Sequence, residues 1–555
     1  MPDIQLRQHA RSLESWLSRY WIYLPLLVAV LIMLPRLVSP QFGLMDDGRA
    51  LTISRGIVHG NWDLSWDVIA GRFRPVYWGA FAFWYLLANG QPFWYFLGNL
   101  LVFAASTFLL TRLVISLGGT KLQGFLTGLV FVLTTSVIEN IYTLSKAENF
   151  QLLLMIGAIS LAILAAREKK RQRVMLLISA AGLLLLVACL TKESTLLVLP
   201  IAVVWWGVAW IGRRRQSPSP PASEKASRSL AIASLASGVI FYLGRGVFLS
   251  SVKILGVGQS SEFFFDPANL LNSLVRWGGW LMRDYLWLLP MLLVVLLAGM
   301  VARRLPKQWL WLPALVWMVF WLGMYIPWHF AVEYYLLPFA AGTAVLSGVL
   351  LTELLELVRR SSRLWRGLGY TGLALTGLLL LVSQANTFSD AAIQLAQDAA
   401  NARVLQYVAA NAPQGSRVMV NLQIANEYIE QMQLTLANFY QRPDLTLVNY
   451  QGEDLSVMQL QAQKTYFLRA DLANQPKMTV RMGLDEPSLK IWNASIDQSL
   501  SSWQQDFQVS ADPQILTVDF PRLLCAVIHR ESYCAAGSGL VNFRQLHYQW
   551  TVYTP

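Results

Sequence analysis

The sequence predicts a mainly α, polytopic membrane helical bundle of about eleven transmembrane helices, followed by a C-terminal extracytoplasmic α/β domain. Three observations carry this. Of 555 residues, 55% are hydrophobic and only 14% are charged, against roughly 25% charged in a soluble globular protein. Apolar runs of bilayer length, roughly 20 residues, recur as far as residue 385 and then stop. The basic residues are clustered between these runs: REKKRQR at 167–173, RRR at 213–215, RR at 303–304 and RRSSRLWR at 359–366.

The runs lie at 21–38, 92–117, 122–141, 149–166, 174–190, 194–212, 229–249, 280–301, 308–327, 334–356 and 367–385. The stretch before Trp21 is polar and mixed in charge, and no small-residue cleavage site follows the first run, so that run reads as a retained signal anchor. A cytoplasmic N-terminus puts all four basic clusters on the cytoplasmic side of a plasma (inner) membrane. The same bias accounts for the net charge of +12 better than nucleic-acid binding does. Two basic flanks on one side require two crossings between them, so TKES near 190–194 is a tight turn. The loops 39–91 and 250–279 and the segment PWHFAVE then face outside. The run 75–89, short and aromatic, reads as an interfacial segment. The Pro/Ser-rich stretch 213–228 reads as a flexible cytoplasmic loop.

After residue 385 the composition turns to Gln, Asn and Asp, which divides a transmembrane domain (1–385) from a soluble one (386–555). DAAIQLAQDAANARVLQYVAAN reads as helix, Pro413–Gly415 as turn and RVMVN as strand. IANEYIEQMQLTLANFY and LTLVNY repeat helix then strand, KTYFLRA is a further strand, and the last third is strand-rich. Cys189 lies inside an apolar run and reads as a small buried side chain. Cys525 and Cys534, in an oxidising compartment, are a disulfide candidate. With His529 between them they make an incomplete zinc set.

The candidate chemistry sits in the outer loops. Asp46 and Asp47 follow the first run in MDDGRALTISRG. An acidic pair at a membrane boundary is costly and suits a general base, although Asp also caps a following helix well. Arg72 and Arg74 in GRFRPVYW carry guanidinium forks suited to phosphate. Glu139 and Glu148 in VIENIYTLSKAENF flank the third and fourth helices, with Lys146 between them, and Glu148 is the stronger second acid. Lys192 and Glu193 in TKES either pair with each other or leave Lys192 for an anionic carrier. His329, Glu333, Tyr334 and Tyr335 in IPWHFAVEYYLLPF are candidates to line a substrate cavity. Arg276 and Arg283 are further phosphate candidates. No GxxxxGK[ST] loop, dinucleotide fingerprint, HExxH or GxSxG element is present, so nucleotide-sugar or ATP chemistry has no visible support.

These motifs, in this order and on this side, resemble the GT-C superfamily of integral membrane glycosyltransferases. The nearest likeness is the branch of bacterial aminoarabinose transferases and protein O-mannosyltransferases. The matching features are the acidic pair after the first helix, Arg74-Pro75 before an aromatic segment, TKESTLLVLP, and the tyrosines ending in Leu-Pro of EYYLLPF. The pair here is Asp-Asp where the family most often has Asp-Glu, and the residue before proline is Arg where the aminoarabinose branch has Lys. The resemblance implies inverting transfer of a sugar from a polyprenyl-phosphate donor to an extracytoplasmic acceptor: lipid, glycan or protein. Asp46 or Asp47 would serve as base and Glu148 as second acid, with Arg72, Arg74 and Lys192 on the lipid phosphate. No cofactor is required, a divalent cation is compatible, and the partners are the donor, the acceptor and membrane lipids. The alternatives are a transporter or flippase of lipid-linked sugars, or a non-catalytic envelope assembly protein.

Overall fold

The computed structural model describes residues 20–43, 47–64, 67, 72–88, 90–144, 146–214, 221–251, 267–302, 308–327, 333–359, 362–422, 426–450, 465–470, 486–518 and 541–555. Within them the chain is a helical bundle with a C-terminal α/β region. Seven helices are long and apolar enough to cross a membrane, two further spans are bent helix pairs, and Tyr23–Val38 and Trp311–Tyr325 are shorter apolar helices. Each predicted run falls on one of these. The span Tyr334–Arg359 is 89% buried and forms the centre of the bundle. Outer helices turn Leu176, Leu183, Leu243, Leu297 and Leu381 outward. An apolar girdle of this extent is at home in lipid rather than water.

In chain order the first helices are α1 (Tyr23–Val38), α2 (Asp47–Val58), α3 (Pro75–Ala88), α4 (Pro92–Ser116), α5 (Lys121–Val132), α6 (Thr135–Tyr142), α7 (Glu148–Arg167) and α8 (Arg171–Cys189). They continue with α9 (Val198–Arg214), α10 (Pro221–Ser251), α11 (Pro267–Asp284), α12 (Leu288–Ala302), α13 (Gln308–Tyr325), α14 (Leu337–Arg359) and α15 (Arg363–Asn411). Short 3-10 turns at Glu193–Leu197 and Glu333–Leu336 lead into α9 and α14.

Two spans expected as single helices are bent, by 55° between α5 and α6 and by 83° between α11 and α12. A break frees backbone carbonyls, which need partners where no water reaches. The partners come from α15. Gln384 Nε2 donates to the Leu133 carbonyl at the first bend, and Ser383 Oγ to the Asp284 carbonyl at the second, at 3.0 Å. Trp287 Nε1 adds a 2.7 Å bond to the same carbonyl.

Helix α15 runs unbroken through the expected boundary at 385/386 and ends at Asn411. Beyond it come β1 (Arg417–Val420), α16 (Asn426–Asn438), β2 (Thr446–Asn449), β3 (Thr465–Ala470), α17 (Glu486–Ser499), β4 (Gln504–Ala511), β5 (Gln514–Val518), β6 (Val541–Gln545) and β7 (Tyr548–Thr554). The main sheet has the order β2-β1-β3-β7-β4. β2, β1 and β3 are parallel, and β7 is antiparallel to both neighbours. Val418, Val420 and Leu468 bury one face of the sheet against Val404 and Val408 of α15 and Met432 of α16. β5 and β6 form a separate antiparallel pair. It docks on α15 through Asn386, which bonds both backbone groups of Val518.

Candidate active site

Three of the candidate motifs converge on one small apolar cluster. Ala50 of α2, Leu64, Tyr77 and Trp78 of α3, and Ala147 before α7 are all buried together. Asp47 lies one turn before Ala50. Arg74 lies one turn before Tyr77 and Trp78. Lys146 and Glu148 flank Ala147. The cluster thus fixes three separate loops at one end of the bundle.

Asp47 is the first described residue of α2 and is 1% exposed. Its Oδ2 accepts a 2.7 Å bond from the Gly43 amide. Gly43 is wedged between two carboxylates: a Cβ there would lie 3.3 Å from Asp398 Oδ1 and 3.5 Å from Asp47 Oδ2. Asp398, on α15, is held by Arg36 of α1 at 2.6 Å, and both side chains are buried. Gln394 Nε2 donates to both Asp398 oxygens at 2.9 and 3.0 Å.

Arg74 precedes Pro75, whose missing amide suits the first turn of α3. Its Nε lies 3.2 and 3.3 Å from the Asp67 oxygens, and Trp78 Nε1 donates to Asp67 Oδ2 at 2.7 Å. Burial works against the guanidinium charge, but Asp67 outweighs it and raises the Arg74 pKa above the ordinary arginine value. The loop is tied to the TKES turn by two amides, Phe73 to Glu193 Oε1 at 2.9 Å and Val76 to the Leu190 carbonyl at 3.2 Å.

Lys192 takes an extended backbone (φ −158°, ψ 127°) between α8 and the 3-10 turn. It does not pair with Glu193, as one reading of the sequence expected, because Glu193 is taken by the Phe73 amide. Lys192 Nζ instead bonds Glu148 Oε1, the first residue of α7, and lies 4.4 Å from the centre of the Tyr335 ring. Burial lowers the Lys192 pKa, Glu148 raises it, and the nearby charges of Arg74 and Arg72 lower it further. Arg72 and Arg74 therefore share one electrostatic neighbourhood with Lys192. Gln151 Nε2 supports the turn through Ser194 at 2.9 Å and Thr195 at 2.8 Å.

Tyr335 stacks on Tyr325 of α13 at 4.8 Å and 7° and meets Tyr334 edge-on at 4.4 Å. Lys146 Nζ lies 3.7 Å from the centre of the Tyr334 ring. The three rings, with Lys146 and Lys192 against them, form an aromatic wall beside Glu148. Glu333 begins the 3-10 turn, and its side chain lies outside the description. Asp46, His329, Cys525 and Cys534 also lie outside the described residues. Cys189 is buried and free.

Of the further candidates, Arg283 sits on α11 against Asp390 of α15, and Glu139 lines a small pocket with Asp390 and Gln394. Neither makes a described contact with Lys192 or Tyr335. Sequence reading missed Asp67 as the partner of Arg74, Tyr325 as the stacking floor, and the Arg36–Asp398 pair behind Asp47. The only available signal was the density of charge around Asp67. Among the described residues no three His, Cys, Asp or Glu side chains are grouped to hold a metal ion.

No family model and no curated protein matches the chain. Among solved structures it is similar to ArnT from Cupriavidus metallidurans bound to undecaprenyl phosphate, with 13% identity over 81% of this chain and 92% of that one and a TM-score of 0.45. The apo state of the same protein gives 13% identity, 82% and 93% coverage and a TM-score of 0.46. The oligosaccharyltransferase AglB from Archaeoglobus fulgidus, in complex with an inhibitory peptide and a dolichol-phosphate, gives 12% identity, 89% and 73% coverage and a TM-score of 0.47.

Proposed function

We propose that the protein is an inverting glycosyltransferase that moves a sugar from a polyprenyl-phosphate donor to an extracytoplasmic acceptor. The observation that carries this reading is the convergence of Asp47, Arg74, Lys146 and Glu148 on the cluster of Ala50, Tyr77, Trp78 and Ala147. It joins a buried acid and several cations at one end of an apolar bundle. The motif order that resembles GT-C enzymes supports the same reading.

In this reading a carboxylate, Asp47 or its neighbour Asp46, accepts the proton of the acceptor hydroxyl as the new glycosidic bond forms. The bond from the sugar to the carrier phosphate breaks, and its electron pair leaves on the phosphate oxygen. Arg72, Arg74 and Lys192 lie where they can offset that growing charge in a site shielded from water. Tyr334 and Tyr335 supply an apolar and aromatic wall for the sugar or the first isoprene units.

The test is transfer by the purified protein from a panel of polyprenyl-phosphate sugars to a membrane extract, for wild type, Asp46→Asn and Asp47→Asn. A loss of about 10²–10⁴-fold in one variant, with the fold intact, is the expected result. Undiminished transfer by both variants removes the pair from the mechanism. If wild type accumulates lipid-linked sugar across a vesicle membrane without forming product, the transporter reading replaces this one.

A further inference from the structure

The cations of the site are not equivalent. Arg74 faces Asp67, and Lys192 faces Glu148. Lys146 is 7% exposed, yet no described carboxylate pairs with it. The contact its ammonium makes is with the face of Tyr334, 3.7 Å from the ring centre. An ammonium taken out of water without a counter-charge is costly, and an aromatic face returns only part of that cost. The structure holds Lys146 in place regardless. Its amide bonds the Leu144 carbonyl at 2.8 Å, and the adjoining Ala147 is locked in the cluster.

Two buried amides adjoin the same segments. Asn140, fully buried, donates Nδ2 to the Tyr334 carbonyl at 3.0 Å and to the Ser136 carbonyl at 2.8 Å, and its Oδ1 has no hydrogen-bond partner. Gln151, also fully buried, has its Nε2 engaged by the TKES turn and its Oε1 without a partner. Buried polar atoms without partners are rare in folded proteins, and these two are acceptor oxygens, which a substrate hydroxyl beside the anion could complete but a phosphate oxygen could not. They belong to segments that adjoin Tyr334 and the TKES turn, while the described contact of the Lys146 ammonium is with the Tyr334 ring.

We propose that Lys146, seated on Tyr334, is an anion-binding residue that takes a phosphate-type oxygen of the substrate. This deepens the reading above and rests on it for the class of substrate. Arg74 and Lys192 must share their charge with resident carboxylates, whereas no carboxylate among the described residues divides the charge of Lys146. Its anion is either the phosphate of the lipid carrier or a phosphate on the acceptor.

The experiment is a binding titration of the purified full-length protein in detergent, which needs no transfer. The probes are a short-chain polyprenyl monophosphate, the corresponding uncharged polyprenol, and inorganic phosphate. Wild type, Lys146→Met and Lys146→Arg are compared, with Lys146→Gln as the alternative neutral variant if the Met protein is not monodisperse. The expected result is a loss of about tenfold or more in affinity for the lipid phosphate in the neutral variant. Polyprenol affinity should be unchanged, and most of the phosphate affinity should return in Lys146→Arg. A loss confined to inorganic phosphate also supports the site and assigns the anion to the acceptor. Unchanged affinity for both phosphates overturns the proposal. Failure of wild type to transfer any sugar would sink the glycosyltransferase reading and leave this binding result standing. Phosphate binding unaffected by Lys146 in a wild type that does transfer sugar would sink this proposal alone.

Discussion

Lys192 couples burial, charge and rate in a way that pH exposes. Burial lowers its pKa below the ordinary 10.5, against the pull of Glu148. As pH rises, the ammonium therefore loses its proton earlier than an exposed lysine would, and with it the charge that the proposed mechanism sets against the leaving phosphate. The transfer rate is expected to fall on an alkaline limb centred below 10.5. In Lys192→Arg the limb should move upward, because guanidinium stays charged. The sign for stability is opposite. A lysine with a lowered folded pKa binds fewer protons folded than unfolded, so this group alone adds stability as pH rises through that window. A pH–rate profile taken alongside thermal midpoints checks both, and a rate that falls only where the protein melts would refute the assignment. The sequence made Lys192 legible as a charge in an apolar turn. It could not show that Glu148, 44 residues earlier, is its partner, because that pairing is made by packing α7 against α8.

At the scale of elements, the acidic loop is positioned by a helix from the far end of the chain. α2 lies along α16 so closely that a Cβ on Gly48 would sit 2.6 Å from the Gln431 carbonyl and 3.0 Å from Leu434 Cβ. The Arg49 amide donates to Gln431 Oε1 at 2.8 Å, its guanidinium pairs with Glu430 at 2.8 Å, and Asn438 Nδ2 reaches Thr52 at 2.7 Å. Gly48→Ala must push the two helices apart, at about 1–3 kcal/mol for overpacking, and Asp47 moves with α2. The expectation is a lowered thermal midpoint and a loss of transfer. Gly79→Ala is the control: it lies in α3, nothing is within 4 Å of its added Cβ, and alanine favours a helix by about 0.5–1 kcal/mol over glycine. If both variants behave alike, the close approach of α2 to α16 has no functional weight. The helices themselves were legible, from DDGRALTISRG and from NEYIEQMQLTLAN. Their contact was not, since nothing local in either segment names the other. The same holds for the bends at 133–134 and 285–287. Apolar runs report length, while a bend depends on a distant side chain such as Gln384 or Ser383 to satisfy the opened carbonyl.

For the whole molecule, hydropathy and basic clusters gave the spans because lipid imposes length and charge bias on each segment independently. Beside the α2–α16 contacts, one tie between the bundle and the α/β region is a long-range pair that no such rule reaches. Arg36 and Asp398 stand 362 positions apart, and their side chains are 1% and 2% exposed. Arg36 also packs its guanidinium on Phe96, 4.2 Å from the ring centre. α15 carries Asp398 on the same continuous helix that answers both bends and backs the main sheet, so the pair ties the first helix to all three. Removing one partner leaves a buried charge alone, and such losses run to about 3–5 kcal/mol. Replacing both with apolar side chains of similar volume removes the charge as well as the bond. Asp398→Leu and Arg36→Met are each expected to lower the thermal midpoint strongly, and the double variant Arg36→Met with Asp398→Leu to recover much of the loss. Unfolding of the four proteins, followed by tryptophan fluorescence, gives the coupling directly. Strictly additive losses would mean that the bundle and the α/β region are held together by their apolar contacts and that the pair is a bystander.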